Sequence, residues 1–283
     1  MPIPGHHFAI VFTDLDGTLL DHKTYGYEPA LPALARLAQM KVPVVLASSK
    51  THAEMAVFQA EFRLTAPMIC ENGGGVHWPA DWAHAPERET AVTYHEIRQA
   101  IDGLPARIRR GFSGFGDWSQ SRLMAETGLP PDLARRAAQR QYSEPGLWTG
   151  TDEELDELTN LLRSQGLRMM CGGRFQTICG PATKVSRLRE IRDRFKAGIS
   201  PEHSVHTIAL GDAPNDIAML QAADRAFIIA NPHGPGIASL PEEASGKIAR
   251  SQLSGPAGWN LCVMDALDEL DGPAARRTQA SPG

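Results

Sequence analysis

Short apolar runs alternate with amphipathic stretches over the first third of the chain. Phe8–Thr13 (FAIVFT) is continuously apolar and gives way to acids and glycine, the pattern of a strand buried in a parallel sheet. Over 29–39, Leu31, Leu34, Ala35 and Ala38 recur at helical spacing. Residues 42–47 (VPVVLA) predict a second buried strand, and 51–63 a second helix with Thr51 as its N-cap. Residues 67–70 (PMIC) predict a third strand. This β-α-β-α-β order implies an α/β fold built on a doubly wound parallel sheet.

The pattern changes near residue 80. Up to about 176 it is rich in Pro, Gly, Arg and Trp. It carries a strand-like AVTYH at 91–95, a glycine-rich GFSGFGDW at 111–118, and helical stretches near 131–141 and 152–165. Alternation then resumes with a helix at 184–196, a strand at 206–210, a helix at 215–223, a strand at 226–230 and a helix at 259–270. The tail beyond Asp271, rich in Pro, Ala, Arg and Ser, reads as irregular. The expected organisation is a core formed by 1–82 and 176–283, interrupted by an inserted α+β domain at 83–175.

Composition narrows the partners. A net charge of -5 and a pI near 6.1 leave no surplus of Lys and Arg for a nucleic-acid backbone. Basic groups such as Arg107, Arg109 and Arg110 are diluted by nearby acids, as on a solvated helix face. The four cysteines, Cys70, Cys171, Cys179 and Cys262, are far apart with no metal-ligand spacing, which predicts reduced thiols in a cytoplasmic protein. The opening MPIPGHH lacks the pattern of a signal peptide. No apolar run reaches the ~18 residues that a membrane span needs. Oligomeric state leaves no mark in the sequence.

The chemistry starts where the first strand ends. In Asp14-Leu15-Asp16-Gly17-Thr18 the two acids can address one space beyond the carboxyl end of the strand, where open α/β sheets bind ligands. A plain turn also accounts for these residue types. A calcium loop fits poorly, because glycine stands fourth instead of sixth and no liganding Glu follows in register. A second acidic loop, Gly211-Asp212-Ala213-Pro214-Asn215-Asp216, follows the strand at 206–210. Either Asn215 or Asp216 could be only an N-cap. Two acidic loops on one sheet edge repel each other unless a cation lies between them. Oxygen donors without His or Cys suit Mg²⁺ over zinc. Between the loops, Ser48 ends the second strand and Lys184 opens a helix, offering a hydroxyl and a positive charge to a phosphate.

Taken in order, DLDGT, SSK, the helix-opening Lys184 and GDAPND resemble the four motifs of the haloacid dehalogenase (HAD) superfamily of phosphohydrolases, over about 8–79 and 177–270. The resemblance implies that Asp14 is the nucleophile and that Asp16 protonates the leaving alcohol and then activates water. Ser48 and Lys184 would bind the phosphoryl group. Mg²⁺ would lie on Asp14, the backbone carbonyl of Asp16 and Asp212, with Asn215 and Asp216 supporting it from outside. The insert takes the place of the superfamily's C2-type cap.

Within the insert, Arg140-Gln141-Tyr142-Ser143-Glu144-Pro145 and Gly172-Gly173-Arg174-Phe175 resemble segments of the mannosyl-3-phosphoglycerate phosphatase subfamily. So do the stretch DLDGTLLDHKTYGYEPA from Asp14 and Glu71-Asn72-Gly73-Gly74. The implied substrate is a small phosphorylated sugar glycerate, mannosyl or glucosyl. Arg140 and Arg174 would hold its carboxylate, and Ser143 and Glu144 its sugar hydroxyls. A broader sugar-phosphate or sucrose-phosphate phosphatase is the nearer alternative. A phosphate-accepting receiver that does not turn over is the more distant one. One departure stands out: Gly180-Pro181-Ala182-Thr183-Lys184-Val185 replaces the subfamily's acid-preceded Lys-Gly.

Overall fold

A computed structural model describes residues 8–275 apart from positions 83, 84, 88, 89, 173 and 235. The sequence expectations for the segment MPIPGHH and for 276–283 lie outside the described residues.

The first half of the large unit runs β1 (Phe8–Thr13), α1 (Leu31–Gln39), β2 (Val44–Ala47), α2 (His52–Glu61), β3 (Met68–Cys70) and β4 (Gly75–His77). A smaller unit follows: α3 (Tyr94–Asp102), α4 (Ala106–Gly111), β5 (Phe112–Gly114), α5 (Gln120–Thr127), α6 (Pro131–Ala137), β6 (Ser143–Trp148), α7 (Asp152–Ser164), β7 (Arg168–Gly172) and β8 (Phe175–Cys179). The chain returns through α8 (Lys184–Ala197), β9 (Val205–Gly211), α9 (Ile217–Ala222), β10 (Arg225–Ala230), β11 (Ile248–Ser254) and α10 (Gly255–Ala275).

The large sheet has the order β11-β10-β9-β1-β2-β3-β4 and is parallel except for the β3–β4 pair. β1 lies mid-sheet with its residues alternating between two cores. Val11 joins Leu46, Leu210 and Trp259 on one face, whereas Ile10 and Phe12 join Val45, Ala209 and Leu188 on the other. Burial on both faces explains why these strands read as unbroken apolar runs. The smaller sheet, β5-β6-β8-β7, is antiparallel. Helices cover one of its faces, where Ile97, Ile101, Leu158 and Leu162 pack on Phe112 and Ile178. The fold is the α/β class expected. No helix among the described residues is long and apolar enough to cross a membrane.

Several local readings change. AVTYH is not a strand: Thr93 caps α3 through reciprocal bonds with Glu96, and that capping box outweighs the β-branched residues before it. The inserted unit extends through β8 to Cys179 instead of ending at 175, because β8 pairs with β6 and β7. β11, with its polar composition, was not foreseen, and helix α10 continues past Asp271 to Ala275.

Candidate active site

Asp14 continues the β1–β9 ladder, its N–H donating to the Leu210 carbonyl at 2.9 Å, so it emerges beside Gly211 and Asp212. Gly17 then turns the chain with φ +77. A Cβ there would stand 2.4 Å from Asn231 Nδ2 and 2.8 Å from Asp212 Oδ2, so only glycine fits this turn. The close approach lets Thr18 Oγ1 donate to Asp212 Oδ1 at 2.6 Å, while Asn231 Nδ2 donates to Oδ2 at 2.7 Å.

Lys184, buried at the first position of α8, bridges two carboxylates. Its Nζ is 2.6 Å from Asp14 Oδ1 and 2.8 Å from Asp216 Oδ1. The other oxygen of Asp216 accepts the backbone N–H groups of Asp212 and Ala213 at 3.3 and 3.2 Å. Gly73 (φ +92) fixes the approach to Lys184 from the other side. A Cβ on it would lie 2.1 Å from the Thr183 carbonyl carbon.

Asp14, Asp212 and Asp216 offer carboxylate oxygens within 4.8 Å of one another, all three residues buried. Three carboxylates against the one Lys184 ammonium leave two formal negative charges in a desolvated space. Burial raises the Asp14 carboxyl well above its usual range. The Lys184 charge pulls it back, and the nearby acids Asp216, Asp212 and Asp16 push it further up. Burial also raises Asp212, against the bonds from Asn231 and Thr18. Burial alone would lower Lys184, but the charges of Asp14 and Asp216 more than reverse this and keep it protonated. A set of oxygen donors with this charge deficit fits a hard divalent cation.

Asp16 stands apart from that group. Its Oδ2 is 3.0 Å from Lys50 Nζ, and its Oδ1 is buried without a hydrogen-bond partner among the described residues. Burial lowers the Lys50 ammonium, but the carboxylates of Asp16 and Glu54 and the Tyr25 hydroxyl more than restore it. Ser48 is buried at the end of β2, its hydroxyl accepting the Lys50 N–H at 3.3 Å. Asn215 reaches sideways, its Nδ2 donating to Asn72 Oδ1 at 3.2 Å.

A cavity of about 480 Å³ lies between the two sheets. Ser49, Asn72 and the Ala213–Pro214–Asn215 loop line it from the large unit; Phe115, Arg140, Pro145, Met170, Phe175 and Thr177 line it from the small one. It meets the acidic cluster through that loop, which Asp212 and Asp216 flank.

Of the four residues predicted in the insert, Arg140 reaches this cavity. Its Nε pairs with Glu71 Oε2 at 3.2 Å, and Nη2 donates to Ser143 Oγ at 2.5 Å. Ser143 is fully buried, with its hydroxyl on Glu71 Oε2 at 2.6 Å. Glu144 follows it on β6 and therefore faces the opposite side of the pleat. There it accepts from Arg98 Nη1 at 2.9 Å and the Gly116 N–H at 2.8 Å, under the helices. Arg174 is exposed, 3.8 Å from Glu126 and against the Phe175 ring, and does not line the cavity. Neither Glu144 nor Arg174 is among the residues that line the cavity.

Thr18, Lys50, Glu71, Asn72 and Asn231 were not foreseen as site residues. The first four stand inside or beside motifs already quoted. Asn231 has no local signal and arrives only because β10 ends beside β9.

Residues 11–103 match the family model described as haloacid dehalogenase-like hydrolase. A glucosyl-3-phosphoglycerate/mannosyl-3-phosphoglycerate phosphatase of Methanococcoides burtonii is 32% identical over 269 residues, 91% of this chain and 97% of that protein. Among solved structures, a phosphatase of the haloalkanoate (HAD) enzyme superfamily from Bacteroides thetaiotaomicron superposes with a TM-score of 0.65 at 16% identity, covering 96% of this chain and 98% of that one. The sucrose-phosphatase of Synechocystis, in complex with sucrose and phosphate, gives 0.55 at 15%, over 94% and 98%.

Proposed function

The chain belongs to the haloacid dehalogenase-like hydrolase family, as a phosphoric monoester hydrolase, and from that premise we propose that it is a Mg²⁺-dependent sugar-phosphoglycerate phosphatase. The first candidate substrate is mannosyl-3-phosphoglycerate, yielding mannosylglycerate and phosphate; the glucosyl ester is the alternative. The observation that carries this reading is the buried group of Asp14, Asp212 and Asp216, bridged by Lys184 and adjoining a cavity of about 480 Å³. The relative from Methanococcoides burtonii supports the substrate class.

Asp14 attacks phosphorus: a carboxylate oxygen–phosphorus bond forms as the ester phosphorus–oxygen bond breaks, leaving an aspartyl-phosphate. Asp16 gives its proton to the departing alkoxide, then takes one from a water that attacks the same phosphorus and frees Asp14. Lys184 orients Asp14 before attack, and with the Ser48 hydroxyl it binds the phosphoryl oxygens as charge shifts onto them. Asp14, Asp212 and the Asp16 carbonyl would hold Mg²⁺, which would supply positive charge to the phosphoryl group, and Asp216 and Asn215 would brace the loop. Arg140 would meet the glycerate carboxylate, a role supported by its lining the cavity while paired with Glu71.

The test is phosphate release from mannosyl- and glucosyl-3-phosphoglycerate, sucrose phosphate and p-nitrophenyl phosphate, with Mg²⁺ or with EDTA. The reading expects kcat/KM on one phosphoglycerate at least about tenfold above the aryl ester, and loss of turnover in EDTA. Preference for sucrose phosphate or for the aryl ester would refute the substrate. Undiminished activity in EDTA would refute the metal.

A further inference from the structure

Asp16 is asked to give and take a proton at one place, yet it lies outside the group formed by Asp14, Asp212 and Asp216. One of its oxygens is taken by Lys50 at 3.0 Å, and the other, Oδ1, is buried without a hydrogen-bond partner among the described residues. An aspartate pinned through one oxygen presents the other in a fixed direction. Lys50 is itself pinned. Its N–H donates to Ser48 Oγ at 3.3 Å, its carbonyl accepts the Glu71 N–H at 3.0 Å, and the next residue, Thr51, locks the start of α2 through a capping box with Glu54. The Lys50 side chain is 13% exposed, and its ammonium lies 4.9 Å from the centre of the Tyr25 ring. A solvated surface lysine would show neither the anchored backbone nor the ring beneath its head.

We propose that Lys50 is a positioning residue that holds one carboxylate oxygen of Asp16 so that the other faces the leaving oxygen of the ester. The inference rests on the reading of Asp16 as the proton donor. Its chemistry makes a specific demand. An alkyl or sugar alkoxide needs protonation as it leaves, whereas p-nitrophenolate, a far weaker base, departs without it. Loosening Asp16 therefore slows the first step on an alkyl ester and spares it on the aryl ester. A general loss of phosphate binding or of folding slows both.

The experiment measures aspartyl-phosphate formation in single turnovers, with enzyme in excess and Mg²⁺ present. Glycerol phosphate and p-nitrophenyl phosphate serve as the two esters. The wild type is compared with Lys50→Met, Lys50→Arg and Asp16→Asn, each checked by thermal melting. General acid catalysis contributes about 10²–10⁴-fold, so Lys50→Met should slow glycerol phosphate by about 30-fold or more and the aryl ester by less than about threefold. Lys50→Arg should restore most of the difference, since a cation remains in place. Asp16→Asn should show the same selectivity more strongly. If it does and Lys50→Met slows both esters equally, or raises only KM, the positioning role is overturned. If Asp16→Asn itself shows no selectivity, the reading of Asp16 falls and the inference with it.

Discussion

In the large unit a charged network gathers at the carboxyl edge of the sheet; in the small unit another gathers beside the helix-covered core. At the carboxyl edge of β1 and β9, Lys184 ties Asp14 to Asp216, and Lys50 holds Asp16. In the small unit, Arg98 joins Asp117 at 2.7 Å and Glu144 at 2.9 Å, and Arg109 joins Asp117 at 2.8 Å, next to the helix-covered core. What that sheet shows the cavity is mostly uncharged: Phe115, Pro145, Met170, Phe175 and Thr177, with Arg140 at the margin. Two networks of similar composition therefore serve different ends. One lies at the carboxyl edge of the large sheet, and the other fastens the wall that the small sheet turns to the cavity.

Substitutions can break this contrast. The largest effect is expected at Asp14→Asn, which should cut turnover by about 10⁴-fold or more. Its melting temperature should be unchanged or higher, because a buried charge among like charges has been removed. Retained activity would put the chemistry elsewhere. Arg98→Met should do the reverse. It strands the buried Glu144 carboxylate and should cost about 2–3 kcal/mol in urea unfolding, with kcat within about threefold. A large fall in kcat without loss of stability would show that the rear network reaches the chemistry.

The smallest effect concerns pH. Burial alone would raise the Asp117 carboxyl, but hydrogen bonds from Arg98, the Gly114 N–H and Arg109 outweigh it and hold it below the usual carboxylate range. A depressed folded pKa contributes stability that is fully present above the unfolded value and is lost as pH falls through the folded one. Asp117→Asn should therefore cost about 1 kcal/mol near neutrality, allowing for solvent screening. The gap to wild type should close as pH drops below about 4. Melting curves across that range decide it; a constant gap would mean that the lost interaction does not depend on the charge.

The sequence exposed what depends on neighbours along the chain. FAIVFT followed by Asp14 and Asp16 announces a buried strand with acids at its outlet, and Thr51 and Lys184 stand where helices begin. These signals survive folding because parallel strands bring their carboxyl ends to one edge whatever their order. Contacts across the sheet were hidden. That Asn231 would reach Asp212 depends on β10 lying beside β9, and that Lys50 would meet Asp16 depends on the loop after β2. Ser143 and Glu144 look equally available in a string of letters, while a pleat sends neighbours to opposite faces, so Ser143 meets Glu71 and Glu144 meets Arg98. The polar strand β11 carried too little apolar signal to be recognised.

The position of β1 between β2 and β9 has a consequence for biosynthesis. The contact of Asp14, which follows β1, with Lys184 spans 170 residues, and that of Thr18 with Asp212 spans 194. A nascent chain holding only the first strands keeps Asp14 hydrated at an unpaired edge. Lys184 emerges after Asp14 and before Asp216, the two carboxylates that it joins. The three acids are therefore all present only once the chain has passed β9, when it already carries Lys184.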